Sequence, residues 1–192
     1  MSRAWPLAAE ARTVSLPLPA AATPLLLRQS GGEGPWATVS VRAAVPPKAP
    51  LFAGYRASRS VTPVQVRTKG QLTRGDVLRV TITVDASAER NWVVVDDPIP
   101  AGATIIGDLA NQSQMLGEGG SADGVQPAYI ERGNDSWRGF FAWVPRGRFT
   151  VSYALRLNGA GRFSLPPTRI EAMYSPSVRA QLPNTPVVVA QR

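Results

Sequence analysis

The sequence places two carboxylates side by side, at Asp96 and Asp97. Paired carboxylates perform acid–base chemistry, such as glycoside hydrolysis, only when both reach the same substrate. The two residues follow an apolar stretch, 92–95, that is predicted as a short strand, and successive residues of a strand point to opposite faces. Asp96 and Asp97 are therefore not expected to form a catalytic pair, and we expect them to end the strand.

A second group of acidic residues lies in a polar, glycine-rich segment, 107–127, that is predicted as a long loop. Asp108, Glu118 and Asp123 are candidate calcium ligands, because calcium takes oxygen ligands at loose spacing. Their spacing does not follow the periodicity of a calcium-binding loop. The segment also lacks the Gly-Lys-Ser or Gly-Lys-Thr of a phosphate-binding loop. The sequence therefore predicts no metal and no cofactor.

The composition removes most other catalytic groups. The 192 residues include no cysteine and no histidine, which excludes thiol nucleophiles, thiolate metal sites and the commonest general base. No Gly-x-Ser-x-Gly motif is present, and the serine and lysine residues have no evident base. The sequence thus predicts a protein that is not an enzyme.

The net charge of +8 raises the question of a nucleic-acid or anionic-membrane partner. The basic residues are spread from Arg3 to Arg192 without runs, and aromatic residues do not alternate with them. Nucleic-acid binding is therefore not expected. The glycosylation sequons at Asn111 and Asn134 are short enough to arise by chance.

Targeting signals are not evident in the sequence. No apolar region of the signal-peptide type follows Met1, and no apolar run approaches the length of a membrane span. We expect no direct membrane insertion. The chain is then either cytoplasmic or a part of a larger protein that carries its signal elsewhere.

Short alternating stretches separated by glycine and proline predict an all-β fold, an antiparallel β-sandwich. In 76–85 the core face consists of Leu78, Val80, Ile82 and Val84. In 148–157 the apolar face consists of Phe149, Val151, Tyr153, Leu155 and Leu157. The turn Pro145-Arg146-Gly147 is predicted to join 139–144 and 148–157 as a hairpin. Seven or eight strands are predicted from residue 55 onward. Besides the three stretches already given, they are 55–68, 92–95 with 104–106 as its continuation, 128–132, the interrupted stretch made of 162–165 and 168–174, and 187–190.

Three further strands are predicted near the N-terminus, at 13–18, 24–29 and 36–44. So few strands seldom bury both faces of a sheet, so this part is expected to lean on a neighbouring sheet or on strands outside the chain. The proline-rich connection at 44–50 favours an extended conformation. We predict two domains, a partial β segment at 1–47 and a β-sandwich at 48–192.

The segment 168–174 contains a methionine that alternation places away from the core. Residues predicted to face the core are Ile170, Ala172 and Tyr174. Met173 shares the opposite face with Arg169 and Glu171. Either Met173 fills a gap in the core, or it contacts a partner. The charged neighbours favour the contact, because an exposed methionine among them needs a partner surface to account for it.

Four motifs then occur in order, and together they resemble the C-terminal end of bacterial alpha-2-macroglobulins. They read G-D-V-L-R-V-T-I-T-V at 75–84, W-V-V-V-D-D-P-I-P-A-G at 92–102, F-F-A-W-V-P-R-G-R-F-T-V-S-Y at 140–153 and P-P-T-R-I-E-A-M-Y-S-P at 166–176. The resemblance covers residues 55–192 as the last macroglobulin-type domain. Residues 1–45 are similar, more weakly, to the strands of a CUB domain that follow the thioester domain. The implied fold is a macroglobulin-like sandwich preceded by a partial CUB-like β segment.

This resemblance implies the non-catalytic C-terminal part of a large periplasmic protease inhibitor. In that family a protease cuts a bait region, and a Cys-Gln thioester within a C-x-E-Q motif then captures the protease covalently. A chain without cysteine cannot contain that motif. The implied partners are the thioester domain and the remaining CUB strands of the parent protein, and indirectly the target proteases.

In that family the last domain also covers the thioester domain before activation. The resemblance implies that Met173, Tyr174 and Glu171 form this thioester-shielding or inter-domain contact, with Met173 as the apolar cover.

An alternative function comes from a shorter pair of motifs. Gly-Asp before a strand and Pro-Ala-Gly after one also resemble the repeated β-sandwich modules of bacterial surface proteins, whose role is spacing or adhesion. The E-A-M-Y-S-P segment and the CUB-like strands favour the inhibitor.

Overall fold

A computed structural model describes residues 13–17, 19, 21–28, 36–43, 45, 47–106 and 125–191. The chain divides into two units, residues 1–45 and residues 46–192. Within the described ranges, no helix has the length and apolar character needed to cross a membrane. The candidate calcium ligands Asp108, Glu118 and Asp123 and the sequon at Asn111 lie outside the described residues.

In its described part, the N-terminal unit does not form the three strands predicted from its alternation. Residues 13–17, 24–28 and 36–43 carry neither strand nor helix, and nearly all of their side chains are exposed. A strand needs a partner that accepts and donates its ladder hydrogen bonds, and an isolated hairpin is marginal in water. The pattern alone was therefore not sufficient for strand formation here. The CUB-like character of residues 1–47 stays a prediction.

Twelve strands form within the described part of residues 46–192. Their bounds are β1 Leu51–Ala53, β2 Tyr55–Gln65, β3 Val77–Ala86, β4 Arg90–Pro98, β5 Thr104–Ile106, β6 Tyr129–Arg132, β7 Ser136–Val144, β8 Gly147–Arg156, β9 Gly161–Phe163, β10 Thr168–Ala172, β11 Ser175–Leu182 and β12 Val187–Val189. All strand pairs are antiparallel. The predicted antiparallel all-β class is thereby confirmed, with β1 and β11 as strands that the sequence analysis missed.

Two large sheets carry most of the fold. The six-stranded sheet has the order β1-β11-β10-β4-β7-β6, and the four-stranded sheet has the order β2-β3-β8-β5. A small third sheet pairs β9 with β12. Side chains from both large sheets form one core, in which ring pairs such as Phe141 with Phe149 lie with centroids 5.4 Å apart. The two sheets therefore pack face to face as a sandwich.

The predicted core faces of the two clearest strands are confirmed. On β3, Leu78, Val80, Ile82 and Val84 are all buried. On β8, the predicted face is buried as well, from Phe149 to Leu155. These two strands pair with each other along their whole length, from Val77 with Arg156 to Ala86 with Gly147. Strict alternation over about ten residues was enough to fix the inward face.

The predicted hairpin between β7 and β8 is wrong. β7 pairs with β4 and β6 in the six-stranded sheet, whereas β8 pairs with β3 and β5 in the four-stranded sheet. The turn at 145–147 therefore carries the chain from one layer of the sandwich to the other. A short turn after a strand is compatible with either outcome, so the turn residues could not distinguish them.

A buried carboxylate organises the loop that leads into β3. Asp76 accepts a 2.8 Å hydrogen bond from the backbone N–H of Thr73 and a 3.1 Å bond from its hydroxyl. The backbone N–H of Arg67 donates a third bond, at 3.2 Å. Burial by itself raises the pKa of Asp76, but the bonds from Thr73 and Arg67 lower it by more, so the pKa lies below its usual 3.8. The carboxylate thus stays ionised inside the loop.

We predict that Asp76→Asn lowers the free energy of unfolding at neutral pH by about 1–3 kcal/mol, because the buried backbone donors lose their charged acceptor. The depressed native pKa makes this stabilisation present above the ordinary carboxyl pKa of 3.8 and lost as the pH falls toward the native value. Urea unfolding at several pH values measures the difference between the two proteins, which should shrink below about pH 4. The control is Asp85→Asn, at an exposed carboxylate. A difference that is constant across this pH range would contradict the prediction.

Candidate functional site

The turn between β10 and β11 carries the predicted contact residues Met173 and Tyr174. β10 ends at Ala172, β11 begins at Ser175, and these two residues pair across the hairpin. Met173 and Tyr174 are therefore its two-residue connection, with exposed fractions of 42% and 78%. Glu171, the third predicted contact residue, lies in the strand, half-buried between Val94 and Arg179 in the register. The structure brings Met173 and Tyr174 together and leaves Glu171 out of the turn.

The prediction that Tyr174 faces the core is wrong, because β10 stops two residues earlier than expected. Ile170 and Ala172 are buried as predicted. The alternation that they define ends where the chain reverses, and a residue in a turn no longer follows the strand period. Met173 is exposed, as its polar strand neighbours indicated.

Two exposed tryptophans that the sequence analysis did not single out lie on β4 and β7, at the end of β4 where this turn is bonded. Trp92 is 45% exposed and Trp143 is 51% exposed. The backbone N–H of Met173 donates a 2.8 Å bond to the carbonyl oxygen of Trp92, and Trp143 is in register with the neighbouring Asn91. We call Trp92, Trp143, Met173 and Tyr174 the apolar tip.

The exposure of both tryptophans follows from a break in alternation where β4 pairs with β7. Asn91 and Trp92 are two consecutive exposed residues, and so are Ala142 and Trp143 opposite them. Trp92 has a φ of +53°, the only positive value at a non-glycine residue in the described part of the chain. That conformation costs a bulky residue about 1–3 kcal/mol. The sequence offered one signal for this site, a tryptophan at the end of an apolar strand. The left-handed backbone conformation of Trp92 could not be read from the sequence.

A buried polar cluster lies between the two sheets, four to five residues along β4 and β10 from the tip. Its centre is Asp97 on β4, whose side chain is fully buried. Arg59 on β2 donates from Nε to both carboxylate oxygens, at 2.8 and 3.1 Å. Tyr153 on β8 donates its hydroxyl to Oδ2 at 2.5 Å, and the hydroxyl of Thr168 on β10 donates to Oδ1. Asp97 therefore joins the two sheets through hydrogen bonds from three strands.

Two of the groups that donate to Asp97 keep their protonation states at ordinary pH. Burial by itself lowers the pKa of Arg59, but the charge and hydrogen bond of Asp97 raise it by more, and the net shift is upward. Burial, and then the charge of Asp97, raise the pKa of Tyr153 above its usual 10.0. Arg59 therefore stays charged and Tyr153 stays neutral at ordinary pH, so the cluster is not a titrating acid–base pair.

The cluster and the tip together position β10. Thr168, the first residue of β10, contacts Asp97 at one end of the β4–β10 pair. Met173, just beyond the last residue of β10, is bonded to Trp92 at the other end. Because both ends are tied to the same strand, β10 cannot slide, and the turn at Met173 and Tyr174 is held at a defined position.

Asp96 and Asp97 point to opposite faces, as predicted. Asp96 lies on the outer face, where its Oδ1 is 3.2 Å from Nε of Arg138. Arg138 also contacts Glu131 at 3.1 Å. The two carboxylates therefore cannot share a substrate. The expectation that they end the strand is wrong, because both lie within β4, which extends to Pro98. Among the described residues, no group of three acidic side chains could hold a metal ion.

Comparison with known proteins gives one family. The profile of the bacterial alpha-2-macroglobulin MG10 domain matches residues 54–177, which is more than half of the chain. An alpha-2-macroglobulin homolog of Yersinia pestis is 28% identical, over 70% of this chain and 8% of that protein. The chain thus spans less than a tenth of the length of this curated relative.

Solved structures of similar fold belong to the same kind of protein. Native alpha-2-macroglobulin of Escherichia coli, spanning domain MG7 to the C-terminus, has a TM-score of 0.62 at 22% identity, covering 74% of this chain and 25% of that one. Salmonella alpha-2-macroglobulin reacted with methylamine has a TM-score of 0.63 at 20% identity, covering 76% of this chain and 10% of that one. At such low identity these likenesses show a shared fold.

The adjacent aspartates provide a matched pair of variants. Asp97→Asn should lower the free energy of unfolding by about 3–5 kcal/mol, because it leaves the Arg59 guanidinium without its buried counter-ion. Asp96→Asn removes the same charge from the neighbouring position but breaks only a half-buried ion pair, whose Arg138 keeps Glu131 as a partner, and should cost less than about 1 kcal/mol. Chemical denaturation of both variants measures the difference. Equal losses of unfolding free energy in the two variants would refute the role of Asp97 in joining the two sheets.

Proposed function

Because the chain belongs to the bacterial alpha-2-macroglobulin family, with its MG10 domain at residues 54–177, we propose that it is the non-catalytic C-terminal part of a protease inhibitor. In this proposal the apolar tip packs on the thioester domain of the parent protein and shields the thioester before activation. The observation that carries the proposal is the joint exposure of Met173 and Tyr174 on a turn that is held in place at both ends of β10.

The composition of the tip fits a contact that is buried in the parent protein. Fully burying a side chain of this size is worth about 1.5–3 kcal/mol, so leaving four of them in water is costly. Aromatic residues and methionine are enriched in protein interfaces, while the tip contains no charged residue. A surface of this kind gains most from an apolar partner.

The chemistry of a thioester requires such a cover. Water and amines attack a thioester. A thioester that must stay intact until a protease arrives therefore has to be shielded from both. Large apolar side chains exclude water from a reactive group, and methionine is long and flexible enough to fill an irregular space above it. Met173 takes this role in the proposal, with Tyr174 beside it and Glu171 at the edge of the contact.

The rigidity of the turn supports the same role. A cover that moved freely would lose conformational entropy on docking, whereas a preformed surface does not. The hydrogen bonds at Thr168 and Met173 hold the turn before any partner binds. Exposure of the thioester after bait cleavage then requires only that this domain move away from it as a rigid body.

The buried cluster around Asp97 supports a role without catalysis. Its carboxylate oxygens are occupied by donors from three strands, and no part of its side chain is exposed. A substrate cannot reach a carboxylate in that position. The polar groups with the strongest interactions in the sandwich thus serve the fold.

The remaining partners and the location follow from the same assignment. We propose that residues 1–47 complete a CUB-like sheet with strands elsewhere in the parent protein, which is compatible with the absence of strands in their described part. The parent would act in the periplasm, and its target proteases would meet this domain only indirectly. The match to the MG10 family supports this function over a spacer or adhesion module.

The coding sequence directly upstream provides a first test. In frame, it should encode a thioester domain with a C-x-E-Q motif, whereas an array of similar sandwiches would support the spacer function instead.

Met173→Ala in the intact parent protein tests the cover itself. Loss of the side chain should raise the rate of thioester loss to methylamine before bait cleavage about tenfold, which corresponds to about 1.4 kcal/mol of lost protection. Met173→Leu keeps a similar apolar volume and should stay close to wild type. Val188→Ala, at an exposed valine of β12, is the control for general surface effects. An unchanged rate in Met173→Ala would rule out the shielding role.

A further inference from the structure

The backbone of Trp92 is in a conformation that its residue type disfavours. Its φ of +53° lies in the left-handed region, where glycine is at ease and asparagine is several-fold enriched over other residues. Asparagine there would keep the carbonyl bond to Met173 without the steric conflict. A tryptophan at this position therefore indicates that the indole itself is used.

The domain covers only part of that indole. Trp92 is 45% exposed, in contrast to the neighbouring Val93 and Val95, which are fully buried in the core. Trp143 on the neighbouring strand is exposed as well, and it pairs in register with Asn91, the residue before Trp92. The strained residue thus places a large apolar group outward, next to Met173, where nothing in the domain covers it fully.

From these observations we infer that the contact with the thioester domain extends from the Met173–Tyr174 turn across β4 to Trp92 and Trp143. Trp92 acts as a positioning residue through its carbonyl and as part of the docking surface through its indole. This inference rests on the proposed function and adds Trp92 and Trp143 to the contact. The partner surface must then also reach the end of the sheet where the start of β4 pairs with the end of β7.

The parent protein provides the occupant. The matched part is only 8% of the Yersinia pestis protein and 10% of the Salmonella chain, so in these relatives the domain is one of many in a single polypeptide. Tethering raises the effective concentration of a neighbouring domain into the millimolar range or above, so a moderate apolar surface is enough to dock it. The uncharged, aromatic composition of the tip requires an apolar patch on that domain.

The test uses three variants of the intact parent protein. Trp92→Asn removes the indole but suits the left-handed backbone, so we expect about a tenfold faster reaction of the thioester with methylamine before bait cleavage. Amide exchange in β4 and β10 should change less than about twofold, because the carbonyl bond to Met173 is retained. Trp92→Phe keeps an aromatic ring and should restore most of the protection. Val188→Ser, on β12, is the matched surface control.

The outcomes separate this inference from the proposed function. If Trp92→Asn reacts like Val188→Ser while Met173→Ala reacts faster, the extended contact is overturned and the shielding role stands. If Met173→Ala is also unchanged, the shielding role itself fails. Faster amide exchange in β4 together with faster methylamine reaction would assign Trp92 a purely structural role and overturn the inference. Loss of a parent dimer in Trp92→Asn, measured by sedimentation, would assign the surface to a second copy and overturn it as well.

Discussion

The buried carboxylate of Asp97 is the interaction on which the arrangement of the domain depends. It lies in the six-stranded sheet and accepts hydrogen bonds from Arg59 and Tyr153 of the four-stranded sheet, so it ties the two layers together. A fully buried charge is tolerated only when it is paired and hydrogen-bonded, and here every donor must be in place at once. Apolar packing alone would allow the layers to slide, whereas this geometry permits one register. The bond from Thr168 extends the constraint to β10 and, through it, to the turn at Met173.

The core and the surface of this domain have different roles. The core combines alternating apolar faces with buried charged groups that are paired and hydrogen-bonded, so it provides a rigid body. The apolar tip lies at the opposite end of β4 and β10 from Asp97 and exposes the largest side chains in its neighbourhood. The strain at Trp92 is sustained because the flanking β4–β7 and β4–β10 pairs hold that residue from both sides. A rigid domain with one exposed apolar surface can move as a unit and contact its partner through that surface.

The sequence predicted the elements in which local pattern and global fold agree. Alternation in β3 and β8 identified their core faces, since each strand is long and buried on one side only. The same reasoning failed where the outcome depended on distant partners. Residues 13–17, 24–28 and 36–43 alternate but have no ladder partner, and the turn after Val144 changes layer instead of forming a hairpin. Tyr174 was misplaced because the reversal after Ala172 depends on the pairing of β10 with β11, and β11 itself was not anticipated.

The candidate site was predicted in part, for the same reason. Exposure of Met173 followed from its charged strand neighbours, and the opposite faces of Asp96 and Asp97 followed from the strand period. The exposure of the tryptophans of the tip depends on a left-handed residue in β4, and that residue is Trp92, a type that disfavours this conformation. The hydrogen bonds of the buried polar cluster join Asp97 to residues up to 71 positions away in the chain, so only the fold brings them together.

Oxidative footprinting of the parent protein tests the central claim, that the tip is covered by the thioester domain before activation and released afterwards. Hydroxyl radicals react readily with methionine, tyrosine and tryptophan side chains that water can reach, and mass spectrometry locates the modified residues. We expect low modification in the resting protein and a marked rise after bait cleavage at Met173, Tyr174, Trp92 and Trp143. Tyr129, an exposed residue on β6, should be modified equally in both states and serves as the internal reference. Equal modification of the tip before and after cleavage would contradict the account.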